Sequence, residues 1–186
     1  INIAVAVLST FSPWKVLNQN AFLMTVVVGG AYAFYQGKAS ERDMLAVLVL
    51  AHSTVFIWLS FRYSQLLARE DLTQFKLKPI LDVALIFAAP IVAFAFLYVM
   101  YFEETIWQAG FSLGFAALYA MLYQLLKRAH SVELIAQSYL SLTLVFLALI
   151  PPILLPEQWG VVGWCVEGAL IFMYALYRNS ALSHYL

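Results

Sequence analysis

The sequence predicts an all-α fold: a polytopic transmembrane helical bundle of about six spans in hairpins, preceded by a truncated N-terminal helix. Three observations carry this. Of the 186 residues, 64% are hydrophobic and only 11% are charged, against about 25% charged in soluble domains. Apolar runs of about 18 or more residues recur, each able to cross a hydrocarbon core of about 30 Å. These runs are continuous rather than alternating, which disfavours a transmembrane barrel.

Residues 1–8, INIAVAVL, are too short to span and read as the tail of a helix closed by Ser12-Pro13. With no initiator Met and no basic leader they do not resemble a signal peptide. The expectation is an internal fragment of a longer protein. Trp14 and Lys15 read as an interfacial anchor.

The first span is expected at 20–36. It holds Gly29-Gly30, small residues that let membrane helices approach closely. A short charge-balanced link, GKASERD, leads to the second span at 44–61, with His52, Ser53 and Thr54 near mid-depth. Residues 62–79 are the longest polar segment and are expected to include an interfacial turn or two. The third span, 80–102, carries Asp82 in its first turn and Pro90 inside, where a lost backbone donor predicts a kink. An acidic turn follows, and the fourth span runs over 108–126 with Gly110 and Gly114 as a small-xxx-small pair. A basic turn, KRAHSVE, precedes the fifth span at 134–150, which is expected to end at Pro151-Pro152 in a rigid loop reaching Gly160. The sixth span is 160–177, GVVGWCVEGALIFMYALY, apolar except for Glu167.

Charge gives the orientation. If 62–79 is cytoplasmic and sides alternate, eight of the ten basic residues fall inside. Only Lys38 and Arg42 fall outside, beside Glu41 and Asp43 and on the side of Glu103 and Glu104. This is the positive-inside pattern. Net charge is zero, which gives no reason to expect a nucleic-acid partner. The partners expected are the lipid bilayer and other helices, of the same longer chain or of a membrane protein. Cys165 stands alone, so no intrachain disulfide can form. There is no phosphate loop, no HExxH, no Cys/His spacing for a metal and no GxSxG, so no cofactor and no metal are expected.

The informative polar residues lie within spans. Glu167 is first, because a charge at mid-bilayer costs from about 3 to over 10 kcal/mol and demands a partner. Gly163 and Trp164 share its face at helical spacing. His52 matches it in depth, and a His–Glu pair could move protons. The plainer reading of His52 is a bond to a backbone carbonyl. Gln137, Ser138 and Ser141 form a polar stripe on the fifth span and are alternative partners of Glu167. Asp82, at a helix start, suits the free backbone donors there.

Particular stretches resemble a known family. Residues 78–94, KPILDVALIFAAPIVAF, have an Asp in the first turn, then Pro90 with Phe94 four residues later; residues 117–128, ALYAMLYQLLKR, fit the next helix. The strongest match is WCVEGALIF at 164–172, after FLALIPPILLPEQW at 146–159. These resemble bacterial multi-pass proteins grouped as domain of unknown function 2339, which have Gly where this chain has Val83, Ala88 and Ala89. The resemblance implies a location in the bacterial inner membrane and a chain longer than this one; it implies no activity. The residues favour a non-catalytic membrane module, a scaffold or a transporter-like part of an envelope assembly. The alternative is an intramembrane enzyme or lipid- or polyprenol-handling protein using a buried Glu or His for proton transfer.

Overall fold

The computed structural model describes residues 15–35, 39–69, 80–127 and 133–178. Every regular element among them is helical: α1 (Lys15–Tyr35), a 3₁₀ turn at Ala39–Glu41, α2 (Arg42–Arg69), α3 (Ile80–Met100), α4 (Thr105–Leu126), α5 (Glu133–Ala148), α6 (Ile150–Leu154) and α7 (Glu157–Arg178). The expected helix tail at 1–8 and residues 70–79 of the expected cytoplasmic link lie outside the described residues. A helical chain of this composition satisfies its own backbone donors and acceptors, which a bilayer requires. The chain is a helical membrane bundle.

Among the described residues three stretches are long and apolar enough to cross a membrane: Arg42–Arg62, Thr105–Leu126 and Ile135–Leu154. Ile86–Met100 and Trp159–Met173 are apolar but shorter. The expected first span, in α1, is not among them. Its first turns carry Asn18, Gln19 and Asn20, so its apolar run starts late.

Two boundaries depart from the sequence reading. α2 continues through Arg69, so the expected polar link is helical over its first residues. Pro151 and Pro152 end α5 but do not open a loop; they lie in the first turn of α6, where α6 itself needs no backbone donor.

The core is aromatic and centred on Phe146 of α5. Its ring stacks on Phe115 of α4 at 5.1 Å and lies nearly parallel to Tyr119 at 6.3 Å. It meets Phe94 of α3 edge-on at 5.5 Å. Such pairs gain beyond simple contact. The closest packing joins α4 to α5 and α2 to α3, across the links at 128–132 and 70–79. The expected first hairpin, α1 with α2, is in looser contact. α1 is held by Phe22 edge-on to Phe56 at 5.2 Å and by Gly30 against the Phe96 ring. Large apolar side chains on the outer faces, such as Val28, Phe34, Val99 and Ile106, are exposed; in a bilayer they meet lipid.

Candidate functional site

The stretch with the strongest sequence signal folds into a corner. Pro151 and Pro152 have no N–H, so the carbonyls of Leu147 and Ala148, four residues earlier, lose their helical donors. The indole Nε1–H of Trp164 on α7 takes up the Ala148 carbonyl at 2.8 Å. The same turns of α7 must lie flat against the prolines. A Cβ on Gly163 would come 2.6 Å from Pro151 Cβ, and one on Gly160 would sit 3.6 Å from Pro152 Cα. Gly160, Gly163 and Trp164 thus seat α7 on the α5–α6 corner.

Glu167 lies one turn beyond this seat. While the other residues over 159–173 are exposed, Gly160 is buried and Gly163, Glu167 and Ile171 are half-buried. Their spacing of three and four residues puts them on one face, so Glu167 points inward. Its Oε1 is buried and has no hydrogen-bond partner among the described residues. A carboxyl left so in hydrocarbon is costly whether charged or neutral.

The expected partners do not reach it. His52 is half-buried, and its Nδ1 donates to the Leu48 carbonyl at 2.8 Å, one turn back on α2. With Ser53 and Thr25 it lines a largely apolar cavity of about 840 Å³ between α1, α2 and α3, to which α7 contributes none of its described residues. Ser141 is exposed and donates to the Gln137 carbonyl on its own helix at 3.0 Å. Gln137 is half-buried and Ser138 buried. Asp82 stands in the first turn of α3, and its side chain lies outside the described residues.

The glycines divide. Gly30 and Gly163 are close-contact points, whereas a Cβ on Gly29, Gly110 or Gly114 would meet nothing within 4 Å among the described residues. The α4 pair faces away from the bundle. Pro90 is buried in α3.

The polar residues that tie helices together are others. Ser112 of α4 is fully buried and donates to the Phe146 carbonyl at 2.5 Å. Buried Gln108 donates through Nε2 to the carbonyls of Tyr98 at 3.0 Å and Phe102 at 3.3 Å, closing the end of α3. The signal for both was the four-residue spacing of Gln108, Ser112, Ala116 and Ala120, a small or polar stripe running through an otherwise bulky helix.

A polar cluster closes one end of the bundle. Arg42 pairs with Glu104 and, at 3.3 Å, with Asp43; it also lies 4.3 Å from the centre of the Tyr101 ring. The Tyr101 hydroxyl donates to Asp43 Oδ1 at 2.8 Å. The starts of α2 and α4 therefore share an end. Among the described residues no three His, Cys, Asp or Glu side chains are grouped to hold a metal ion.

No curated protein and no solved structure matches this chain. A family model described as Predicted membrane protein (DUF2339) matches residues 1–186. The match extends past 78–178, the stretch that carries the resemblance in the sequence, to the α1–α2 region. The chain belongs to the DUF2339 family of predicted membrane proteins.

Proposed function

We propose that this chain is a non-catalytic helical module of the bacterial inner membrane, a scaffold or transporter-like part of an envelope assembly, with residues 62–79 on the cytoplasmic side. The observation that carries this is how the polar side chains inside the bundle are spent. Ser112 and Gln108 bond to backbone carbonyls of neighbouring helices or turns. His52, Ser60 and Thr143 bond to carbonyls of their own helix. These bonds hold helices in place and bring no acid and base together. The partners are lipid and further membrane helices.

The test is made in a bacterial strain that depends on the full-length protein for growth or envelope integrity. The variant His52→Ala/Ser141→Ala, which removes candidate chemistry without touching the helix contacts, is compared with wild type. Unchanged growth and unchanged assembly size on native gels is the expected result. Lost growth with the assembly intact would favour the intramembrane enzyme. Thiol labelling of single-cysteine variants at 62–79, in a Cys165→Ser background, checks sidedness: label must enter only from the cytoplasm.

A further inference from the structure

We infer that the cavity between α1, α2 and α3 is a lipid site, which takes the acyl chains of one bilayer phospholipid in between α1 and α2. This rests on the reading of lipid as a partner and gives that partner a place in the bundle.

The walls make a cleft with one open side. α2 packs closely on α3, and Gly30 of α1 lies against the Phe96 ring of α3. The buried cluster of Ala21, Phe56, Leu59 and Ala89 closes the floor. α1 and α2 are in looser contact. Met24, Val28 and Tyr32 of α1 and Met44, Leu48 and His52 of α2 line the cavity; four-residue spacing puts each set along one edge of its helix. All but the half-buried His52 are also exposed, so among the described residues the mouth lies between these two helices. Gly29 marks the space from inside. It shares the inward face of α1 with Phe22, Thr25, Val26 and Ala33, all half-buried, yet it is exposed, and a Cβ on it would meet nothing within 4 Å.

Depth, size and chemistry select the occupant. From Met44 to Phe56 the cavity runs about 18 Å along α2, a little over half of a hydrocarbon core of about 30 Å. It starts just beneath the Arg42, Tyr101 and Glu104 cluster that closes one end of the bundle, as a chain from that leaflet would. Val28 belongs both to the cleft and to the outer face that meets lipid, so the site is continuous with the bilayer and is entered sideways. Thr25 and His52 on its wall donate to carbonyls of their own helices and the lining is largely apolar, so water finds too few partners. A helix about 10 Å across and about 18 Å long displaces about 1,400 Å³, against a cavity of about 840 Å³; it can cover the mouth but not fill the space. Hydrocarbon can. An apolar cavity of about 150 Å³ takes a six-carbon ring, so this one has room for roughly thirty carbons, the content of two acyl chains. A chain gains no hydrophobic energy by leaving the bilayer for the cleft; what favours it is the dispersion contact that bare walls forfeit.

The test uses the full-length protein in vesicles of phosphatidylethanolamine and phosphatidylglycerol, with a phosphatidylethanolamine that carries a diazirine midway along one acyl chain. After illumination, lipid-modified peptides are mapped by mass spectrometry. Buried Ser53 and Ala93, which line the cleft, should carry adducts, as should exposed Val99 on the outer face. Gly29→Leu fills the cleft from within. It should largely abolish the Ser53 and Ala93 adducts and keep that of Val99, whereas Gly114→Leu, on an open face of α4, should change none of them. If Gly29→Leu does not accumulate, Leu48→Trp at the mouth must give the same selective loss. Adducts confined to Val99, cleft adducts that survive the filling variant, or cleft adducts displaced by an equal amount of unlabelled polyprenol would each overturn the inference. Those outcomes leave the module reading standing, since that is read from growth and assembly size.

Discussion

Trp164 donates its indole N–H to the carbonyl of Ala148 at 2.8 Å, sixteen residues away on another helix. That carbonyl is open because Pro152, four residues after Ala148, has no N–H to offer. A helix break and a distant side chain are thus two halves of one hydrogen-bond account. Trp164→Phe keeps the aromatic body and removes the donor, so it should cost about 1–3 kcal/mol, the penalty of a stranded carbonyl. In a Pro152→Ala background, which can restore a backbone donor, the same change should cost less. Unfolding of the four proteins in mild detergent measures the coupling; additive costs would mean that Trp164 and Pro152 act independently.

The glycines of this chain separate by what lies opposite them. Gly163→Ala forces a methyl to within 2.6 Å of Pro151 Cβ, and a proline ring on a helix start has little freedom to retreat. The change should cost about 1–3 kcal/mol, as overpacking does. Gly114→Ala, with nothing within 4 Å of the new methyl, should be neutral or slightly stabilising, because Ala favours a helix by about 1 kcal/mol over Gly. Thermal unfolding of the two variants should move in opposite directions or differ clearly; equal losses would contradict the packing described.

Phe146 is anchored twice, by its ring and by its carbonyl. Removing the ring with Phe146→Ala empties a site shared by Phe94, Phe115 and Tyr119 and should cost about 3–5 kcal/mol. Ser112→Ala removes the bond to the Phe146 carbonyl and should cost about 0.6 kcal/mol, the average for hydrogen bonds between membrane helices. The order of the two losses is the prediction. A larger effect at Ser112 would mean that the hydrogen bond rather than the aromatic cluster joins α4 to α5.

The fold class was legible because a bilayer reduces the choice to continuous apolar helices, and hydropathy reads those directly. The inward face of α7 was legible for a related reason: Gly160, Gly163 and Glu167 are unlike their apolar neighbours and fall at helical spacing. What hydropathy cannot supply is which face of an apolar helix meets another helix. Gly110 and Gly114 have the small-residue spacing of a contact, yet their face of α4 is open. The face that packs is the one bearing Gln108, Ser112 and Tyr119. His52 and Ser141 illustrate a second gap. A hydroxyl or imidazole in a helix can always bond to the carbonyl one turn back, so depth alone does not make a pair. Nor does a proline pair announce whether the chain turns away or begins another helix; at Pro151-Pro152 it begins one.

The polar end of the bundle offers a test of contact and sidedness together. Arg42 and Glu104 are paired although 62 positions separate them, and the charge pattern of the sequence puts both outside. A surface ion pair with both side chains over a third exposed contributes little to stability, so mutational stability is the wrong readout. Proximity is the right one. In a Cys165→Ser background, the pair Arg42→Cys/Glu104→Cys should be joined by a short bifunctional thiol reagent, with Arg42→Cys/Lys127→Cys, set at the far end of α4, as the unjoined control. A membrane-impermeant form of the reagent should join them in intact spheroplasts with no need to open the membrane. Joining only after lysis would keep the contact but reverse the orientation, moving residues 62–79 outside. Failure under both conditions would remove the contact itself, and with it the placement of the α2 and α4 starts at one end of the bundle.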